Sequence, residues 1–236
     1  MELTRECPMP DADFASELRF WDRELSLKGD YADDILCRLD RDKSEAVFPK
    51  YILPYFQSLD SECISVLDVG SGPLSMLTWG TRLFKLVCAD PLADAYKELH
   101  RKYGYKIEYD IVSVTGEKLY EKFEKETFDV VWSNNALDHS QVPSVMFSEM
   151  VNATKKNGYI IVSGSTKEGT RWSFNGLHKH DIYFYEGHLK CESLCDSNNL
   201  SKPIILDALP NIVIENTPKE SLTISNWWSV VYRKIA

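Results

Sequence analysis

Apolar positions in the first sixty residues recur at helical spacing. Leu18, Trp21 and Leu25 share one face, and so do Ile35, Leu36 and Leu39. Val47, Phe48, Tyr51, Ile52, Tyr55 and Phe56 continue the pattern, interrupted by Pro49 and Pro54. This predicts two or three short helices, a cap over residues 1–60. From residue 61 the pattern changes. Short apolar runs at 64–69, 86–89, 105–112, 128–132 and 159–162 read as strands, with helices between them at about 74–84, 92–103, 116–124 and 143–156. Asn157-Gly158 reads as the stop of the last helix. Alternating strands and helices predict an α/β domain over 61–236, its mostly parallel sheet covered on both faces. Ile204-Ile205-Leu206 and Ile212-Val213-Ile214, leading to 227–232, predict an antiparallel hairpin at one sheet edge. The stretch at about 164–190, rich in His, Gly and aromatics, reads as an irregular insert that forms a substrate pocket.

The densest chemistry lies in Val66-Leu67-Asp68-Val69-Gly70-Ser71-Gly72-Pro73, where a strand ends in an acid and a glycine turn leads on to a predicted helix. Gly70 supplies a backbone angle closed to other residues, and Gly72 lets a ligand approach the main chain. The first N–H groups of the helix would hold an anion or carboxylate. Asp90 ends the second strand, where a carboxylate accepts from ribose hydroxyls. Together these features point to an adenosine-bearing cofactor. Ser75 stands where the third glycine of a dinucleotide fingerprint would fall, which turns the reading away from a pyrophosphate.

The composition narrows the partners. Of 236 residues 44% are hydrophobic and 27% charged, and 27 basic against 36 acidic side chains leave a net charge of −9. That charge disfavours nucleic acid and anionic membrane surfaces. No apolar run reaches the roughly 20 residues of a membrane span. The opening MELTRECPMPDADF lacks the pattern of a secretory signal, so a cytoplasmic location is expected. Six scattered cysteines (Cys7, Cys37, Cys63, Cys88, Cys191, Cys195) read as reduced thiols. Cys191 and Cys195 have the spacing of one helical face but lack the partners of a zinc set.

Taken together, VLDVGSGP at 66–73, VCADP at 87–91, VTGEKL at 114–119, FDVVWSNNALDHSQVP at 128–143, KKNGYIIVSGS at 155–165 and WWSVVYRK at 227–234 resemble the class I S-adenosylmethionine-dependent methyltransferases. The resemblance implies a Rossmann-like methyltransferase sandwich with a seven-stranded sheet, and S-adenosyl-L-methionine as cofactor. Within the small-molecule group, FWDRELSLKGDY at 20–31, the RLD that follows and GLHKH at 176–180 suggest cell-surface glycan assembly, hence polysaccharide biosynthesis. Carried over residue by residue, Asp68 orients the glycine turn and the cofactor's amino group. Gly70, Ser71 and Gly72 offer backbone contacts to the methionine part, and Asp90 takes the ribose. Thr115, Gly116 and Glu117 lie by the adenine, and Asn134 lies near the methyl group. Leu74 replaces a small residue of the family motif and would tighten the space beside the cofactor's carboxylate end.

His139, following the fourth strand, is the candidate base; its alternative role is to fasten the loop through a backbone hydrogen bond. Asp138 is its sequence neighbour. The spacing of His178 and His180 puts both on one strand face as substrate contacts. A metal held with Asp181 or His188 is the lesser reading. The family's metal-dependent branch uses acids where this chain has Ser133-Asn134 and Ser163-Gly164-Ser165, so no metal is expected. Tyr31 and Arg38 are candidates to grip an anionic acceptor, Trp21 reads first as cap core, and Arg41 as solvated surface. The expected activity is methyl transfer to oxygen of a small or glycan-like acceptor. Alternatives are a natural-product or quinone-like acceptor, methylated at oxygen, nitrogen or carbon, and a cofactor-binding module without turnover.

Overall fold

In the computed structural model, residues 11–59, 62–196, 199–216 and 226–236 are described. Cys7 and most of the opening segment read for a leader lie outside them. The chain enters through α1 (Asp11–Leu25), α2 (Ala32–Leu39) and the short α3 (Leu53–Gln57). It then runs through β1 (Ile64–Val69), β2 (Phe84–Asp90), α4 (Ala93–Tyr103), β3 (Asp110–Ser113), β4 (Phe128–Asn134), α5 (Pro143–Ala153) and β5 (Thr154–Ser165). A single turn, α6 (Glu168–Arg171), leads to β6 (His180–Tyr185), β7 (His188–Asp196), β8 (Asn199–Leu200) and β9 (Ile204–Ile205). β10 (Ile212–Asn216) and β11 (Trp227–Lys234) close the chain.

The main sheet has seven strands in the order β10-β11-β5-β4-β1-β2-β3. The pairs among β1 to β5 are parallel, and β11 joins β5 antiparallel. Alternate side chains of the central strands serve two cores. Leu67, Val69 and Val131 pack with Met146, Phe147 and Met150 of α5. Val66, Val130 and Trp132 pack with Ile52 and Phe56 from the α3 side. This burial on both faces explains why these strands read as near-continuous apolar runs. In the cap, Leu25 of α1 and Ile35 of α2 bury Leu74, which follows the glycine turn. The Tyr103 hydroxyl donates to the Asp22 carbonyl at 3.0 Å and ties α1 to α4.

Several elements differ from the sequence expectation. The helix expected at 74–84 is a single 3-10 turn, Thr78–Arg82. The Ser75 hydroxyl donates to Asp68 Oδ2 at 2.6 Å and accepts the Leu77 N–H at 2.9 Å. These side-chain bonds hold a turn where a helix would begin. The segment expected at 116–124 is likewise 3-10, over Gly116–Glu121. β3 starts at Asp110, not at 105. β5 follows α5 without a linker, and Asn157, at φ +64, sits in an irregular stretch of β5 rather than at a helix stop.

The stretch read as an irregular insert is ordered. β6 and β7 form an antiparallel hairpin, and β9 pairs with β7 instead of the sheet edge. Its inward side chains Ile182, Leu189 and Cys191 join the α5-side core, which anchors the hairpin beside the main sheet. Cys191 and Cys195 therefore lie on a strand, not on a helix.

Candidate functional site

A cavity of about 830 Å3 opens at the carboxyl ends of β1, β2 and β4, beneath α1 and the segment that leads into β6. Open parallel sheets bind ligands at this end. Its size falls within the ~300–1,000 Å3 of small-molecule sites.

Gly70 (φ +73) and Gly72 (φ +62) make the turn that forms its floor. The Gly70 N–H donates to the Ala89 carbonyl at 2.8 Å, and the Gly72 N–H donates to Asp90 Oδ2 at 3.0 Å. Two of the three amides expected to face a ligand are thus engaged within the chain, and the helix whose first amides were to assist them is absent. Asp90 Oδ1 also accepts the Leu92 N–H at 2.9 Å. A carboxylate offers about four acceptor sites, so the pair leaves room for a diol. Burial, the largest influence, raises the Asp90 carboxyl to about 6. It raises Asp68 to about 7, against the opposing hydrogen bond from Ser75.

A Cβ at Gly70 would lie 2.4 Å from the Ala136 Cβ, in a backbone region unfavourable to alanine. Gly70→Ala is therefore expected to destabilise the fold by about 2–4 kcal/mol, from left-handed strain plus overpacking. Denaturant unfolding measures this; a loss below about 0.5 kcal/mol would contradict the packing described.

Trp21 lines the cavity, with Cζ2 3.2 Å from where a Gly72 Cβ would stand, so it roofs the turn as well as packing the cap. Leu74 points the other way, into the Leu25–Ile35 cluster, and does not tighten the cofactor space. Thr115 and Gly116 line another wall, where a Gly116 Cβ would meet Met146 at 2.6 Å. Glu117 also reaches the cavity, but its Oε1 accepts the amides of Gln141 (2.6 Å) and Val142 (3.2 Å). The Asn134 amide is engaged too: its Oδ1 accepts the Ser163 hydroxyl at 2.7 Å.

The 3-10 turn Leu137–His139 after β4 carries Asp138 and His139, and the segment before β6 brings His178 to them. Asp138 Oδ2 lies 2.7 Å from His178 Nδ1 but 3.5 Å from His139 Nε2. The carboxylate thus sits nearer the distant histidine than its sequence neighbour. The two imidazoles meet at 3.2 Å, His139 Nε2 to His178 Nδ1. Trp172 stacks on the His178 ring at 5.5 Å and 12°, and its Nε1 donates to Glu168 Oε2 at 2.7 Å.

His178 and His180 do not share a face. His178 precedes the strand, whereas His180 starts it and is buried, with Nδ1 on the Ser193 hydroxyl (2.6 Å) and Nε2 on the Ser140 carbonyl (2.9 Å). Burial dominates in holding its pKa below the usual value. It does not line the cavity. Asp181 accepts from Thr170 and His188 pairs with Asp207, so neither completes a set with His178. Arg38 reaches the cavity wall, but Nη1 donates to the Leu74 carbonyl at 2.9 Å and Nε pairs with Asp34 at 2.7 Å. It fastens α2 to the chain beyond the turn through these two contacts. Tyr31 stays exposed at the rim. Arg41 pairs with Glu108 at the surface. Trp228 is buried, and Trp227 lines the cavity. No motif announced Trp172 or Glu168; both come to the site because α6 turns back before β6.

A family model described as a methyltransferase domain matches residues 67–162. That stretch is similar to a methyltransferase domain. It spans the glycine turn, Asp90, the 115–117 wall and the Asp138–His139 turn. No curated protein matches the chain. Among solved structures, a Pyrococcus horikoshii OT3 protein is similar at 15% identity over 93% of this chain and 98% of its own, with a TM-score of 0.51. The 4+2 cyclase SpnF is similar at 14% identity over 82% of this chain and 81% of its own, with a TM-score of 0.53. The Bacillus YcgJ protein aligns at 16% identity and a TM-score of 0.41 over 52% of this chain, which spans 51% of that protein's length. The fold is the Rossmann-like methyltransferase fold.

The cofactor that this likeness implies is S-adenosylmethionine, and the residues lining the cavity are compatible with it. A buried carboxylate with spare acceptor sites could take a diol, and the aromatic side chains of Trp21 and Trp132 suit a sulfonium. Among the described residues, no helix is long and apolar enough to cross a membrane.

Proposed function

We propose that the chain is an S-adenosylmethionine-dependent methyltransferase that acts on oxygen of a small, polar, glycan-like acceptor, in a cytoplasmic setting. The observation that carries this reading is that the Asp90 carboxylate and the Asp138–His139–His178 cluster line or flank one cavity. S-adenosylmethionine supplies a methyl on a cationic sulfur, already activated for in-line displacement. Asp90 accepts from its ribose, Asp68 and the 70–72 turn position its methionine part, and Thr115 with Gly116 walls the adenine. Glu117 and Asn134 act by holding these walls. His139 promotes the loss of the acceptor's hydroxyl proton to solvent. His178 and the aromatic side chains hold the acceptor ring.

The aromatic share of the walls, with Phe14, Phe20, Trp172 and Trp227, favours a second reading in which the acceptor is a planar natural product or quinone. An acceptor panel separates the two: methylation of hydroxylated aromatics with none of sugars selects the second.

The first test is calorimetry with S-adenosylhomocysteine. Micromolar binding is expected, and no heat at millimolar ligand ends the methyltransferase reading. His139→Ala should bind that product as tightly as wild type while turnover falls about 100- to 1,000-fold, the range of a lost general base. Wild-type turnover in that variant removes His139 from the chemistry.

A further inference from the structure

We propose that Asp138, His139 and His178 form a binding site for one divalent transition-metal ion of the zinc class. Asp138 Oδ2, His139 Nε2 and His178 Nδ1 are separated by 2.7, 3.2 and 3.5 Å. The circle through these three atoms has a radius of about 1.8 Å. A point ~2.0–2.1 Å from each, the usual zinc–nitrogen and zinc–oxygen distance, therefore exists between them.

Proton counting points the same way. His178 Nδ1 is within hydrogen-bonding distance of both other atoms, yet it carries at most one proton. If that proton goes to Asp138, the His139 lone pair faces a donor already engaged. If His139 Nε2 donates to His178 Nδ1, the carboxylate faces an imidazole lone pair at 2.7 Å. A cation at the centre satisfies all three.

Charge adds a further reason. Asp138 is 4% exposed, and among the described residues no Lys or Arg pairs with it. A buried carboxylate needs a countercharge. The surroundings also hold the ligands in place. Trp172 stacks on His178 and is itself fixed by Glu168, whose carboxylate lies 3.9 Å from the same Nδ1. Two imidazoles and one carboxylate suit zinc, iron, cobalt or nickel better than magnesium or calcium. His139 and His178 line the cavity, so the remaining coordination positions open on it.

The role of the ion rests on the proposed function. It binds the acceptor oxygen and lowers its pKa, so the hydroxyl proton leaves to water before the methyl arrives. The carbon–sulfur bond breaks, a carbon–oxygen bond forms, and the sulfonium becomes a neutral thioether. His139 then acts as a ligand rather than as the base itself.

The test uses the full chain, stripped with chelator and titrated with Co2+ and Zn2+. One equivalent of Co2+ should produce visible d–d absorption that Zn2+ displaces. Asp138→Asn and His178→Ala should each weaken Co2+ binding at least tenfold, with the thermal midpoint and S-adenosylhomocysteine affinity retained. His188→Ala, at a histidine away from the cavity, should bind like wild type. Absence of saturable Co2+ binding, or wild-type affinity in both ligand variants, overturns the site. Turnover that survives chelation overturns its role, while failure of the methyltransferase reading shows separately as absent S-adenosylhomocysteine binding.

Discussion

Asp90→Ala is expected to weaken S-adenosylhomocysteine binding at least about 100-fold, a loss of ~2.7 kcal/mol. The carboxylate accepts the Gly72 and Leu92 amides, which shapes the turn. Under the proposed function its remaining lone pairs take the ribose diol. Its loss orphans both donors and removes the ligand contact, each hydrogen bond to a charged group being worth ~1.5–3 kcal/mol. The pH dependence follows from the burial that holds this carboxyl at about 6. Below that pH the group is protonated in the free protein and loses acceptor strength, so wild-type affinity should fall as pH drops through 6. The alanine variant should bind weakly at every pH without that decline. Calorimetry at pH 5, 6, 7 and 8 reads both effects, and a pH-independent wild type would remove Asp90 from the diol.

Asp68→Asn is expected to stabilise the protein at pH 8 while weakening the cofactor product. The sign comes from the raised carboxyl: about 7 folded, against 3.8 as its ordinary value. Between those values the folded state holds a proton that the unfolded chain has released. Stability from this group is therefore complete below about 4 and is lost as pH rises through 7. A difference of about three pK units sets a ceiling of ~4 kcal/mol, and relaxation around the site leaves an expected gain of ~1–3 kcal/mol for a neutral side chain at pH 8. At pH 4 the two proteins should unfold alike. The Ser75 hydroxyl can still donate to the amide oxygen, more weakly than to a carboxylate, so the turn is preserved. An anionic partner for an amino group is lost, which accounts for the opposite effect on binding. Thermal melts at both pH values decide it, and a lower midpoint for the asparagine variant at pH 8 would show that the ionised carboxylate supports the fold.

These two acids mark how far the sequence could be read. Strands with both faces buried announce themselves as apolar runs, so β1, β2 and β4 and their parallel order were legible, as were the glycine turn and Asp90. Sequence order also placed Asp138 and His139 at the sheet end that binds ligands. The partners in that cluster were not legible, because His178 stands about 40 residues away and the bend before β6 separates it from His180. Spacing of two promised a shared face, which holds only where the backbone is extended through both residues. The missing helix after the glycine turn had one signal in retrospect, Ser75, whose hydroxyl competes for the bonds a helix would need. The hairpin β6–β7 escaped notice because its polar and aromatic residues alternate weakly, and its burial depends on a core built by other strands.

The Glu117 carboxylate has a consequence for how the two ends of the cavity communicate. It leaves the 115–117 segment, proposed above to wall the adenine, and accepts the backbone amides just past His139. The 115–117 wall and the turn bearing Asp138 and His139 are thus joined through one side chain. A substitution that displaces Gly116 should shift Asp138 and His139 as well, so under the proposed function affinity for the donor and reactivity toward the acceptor should vary together.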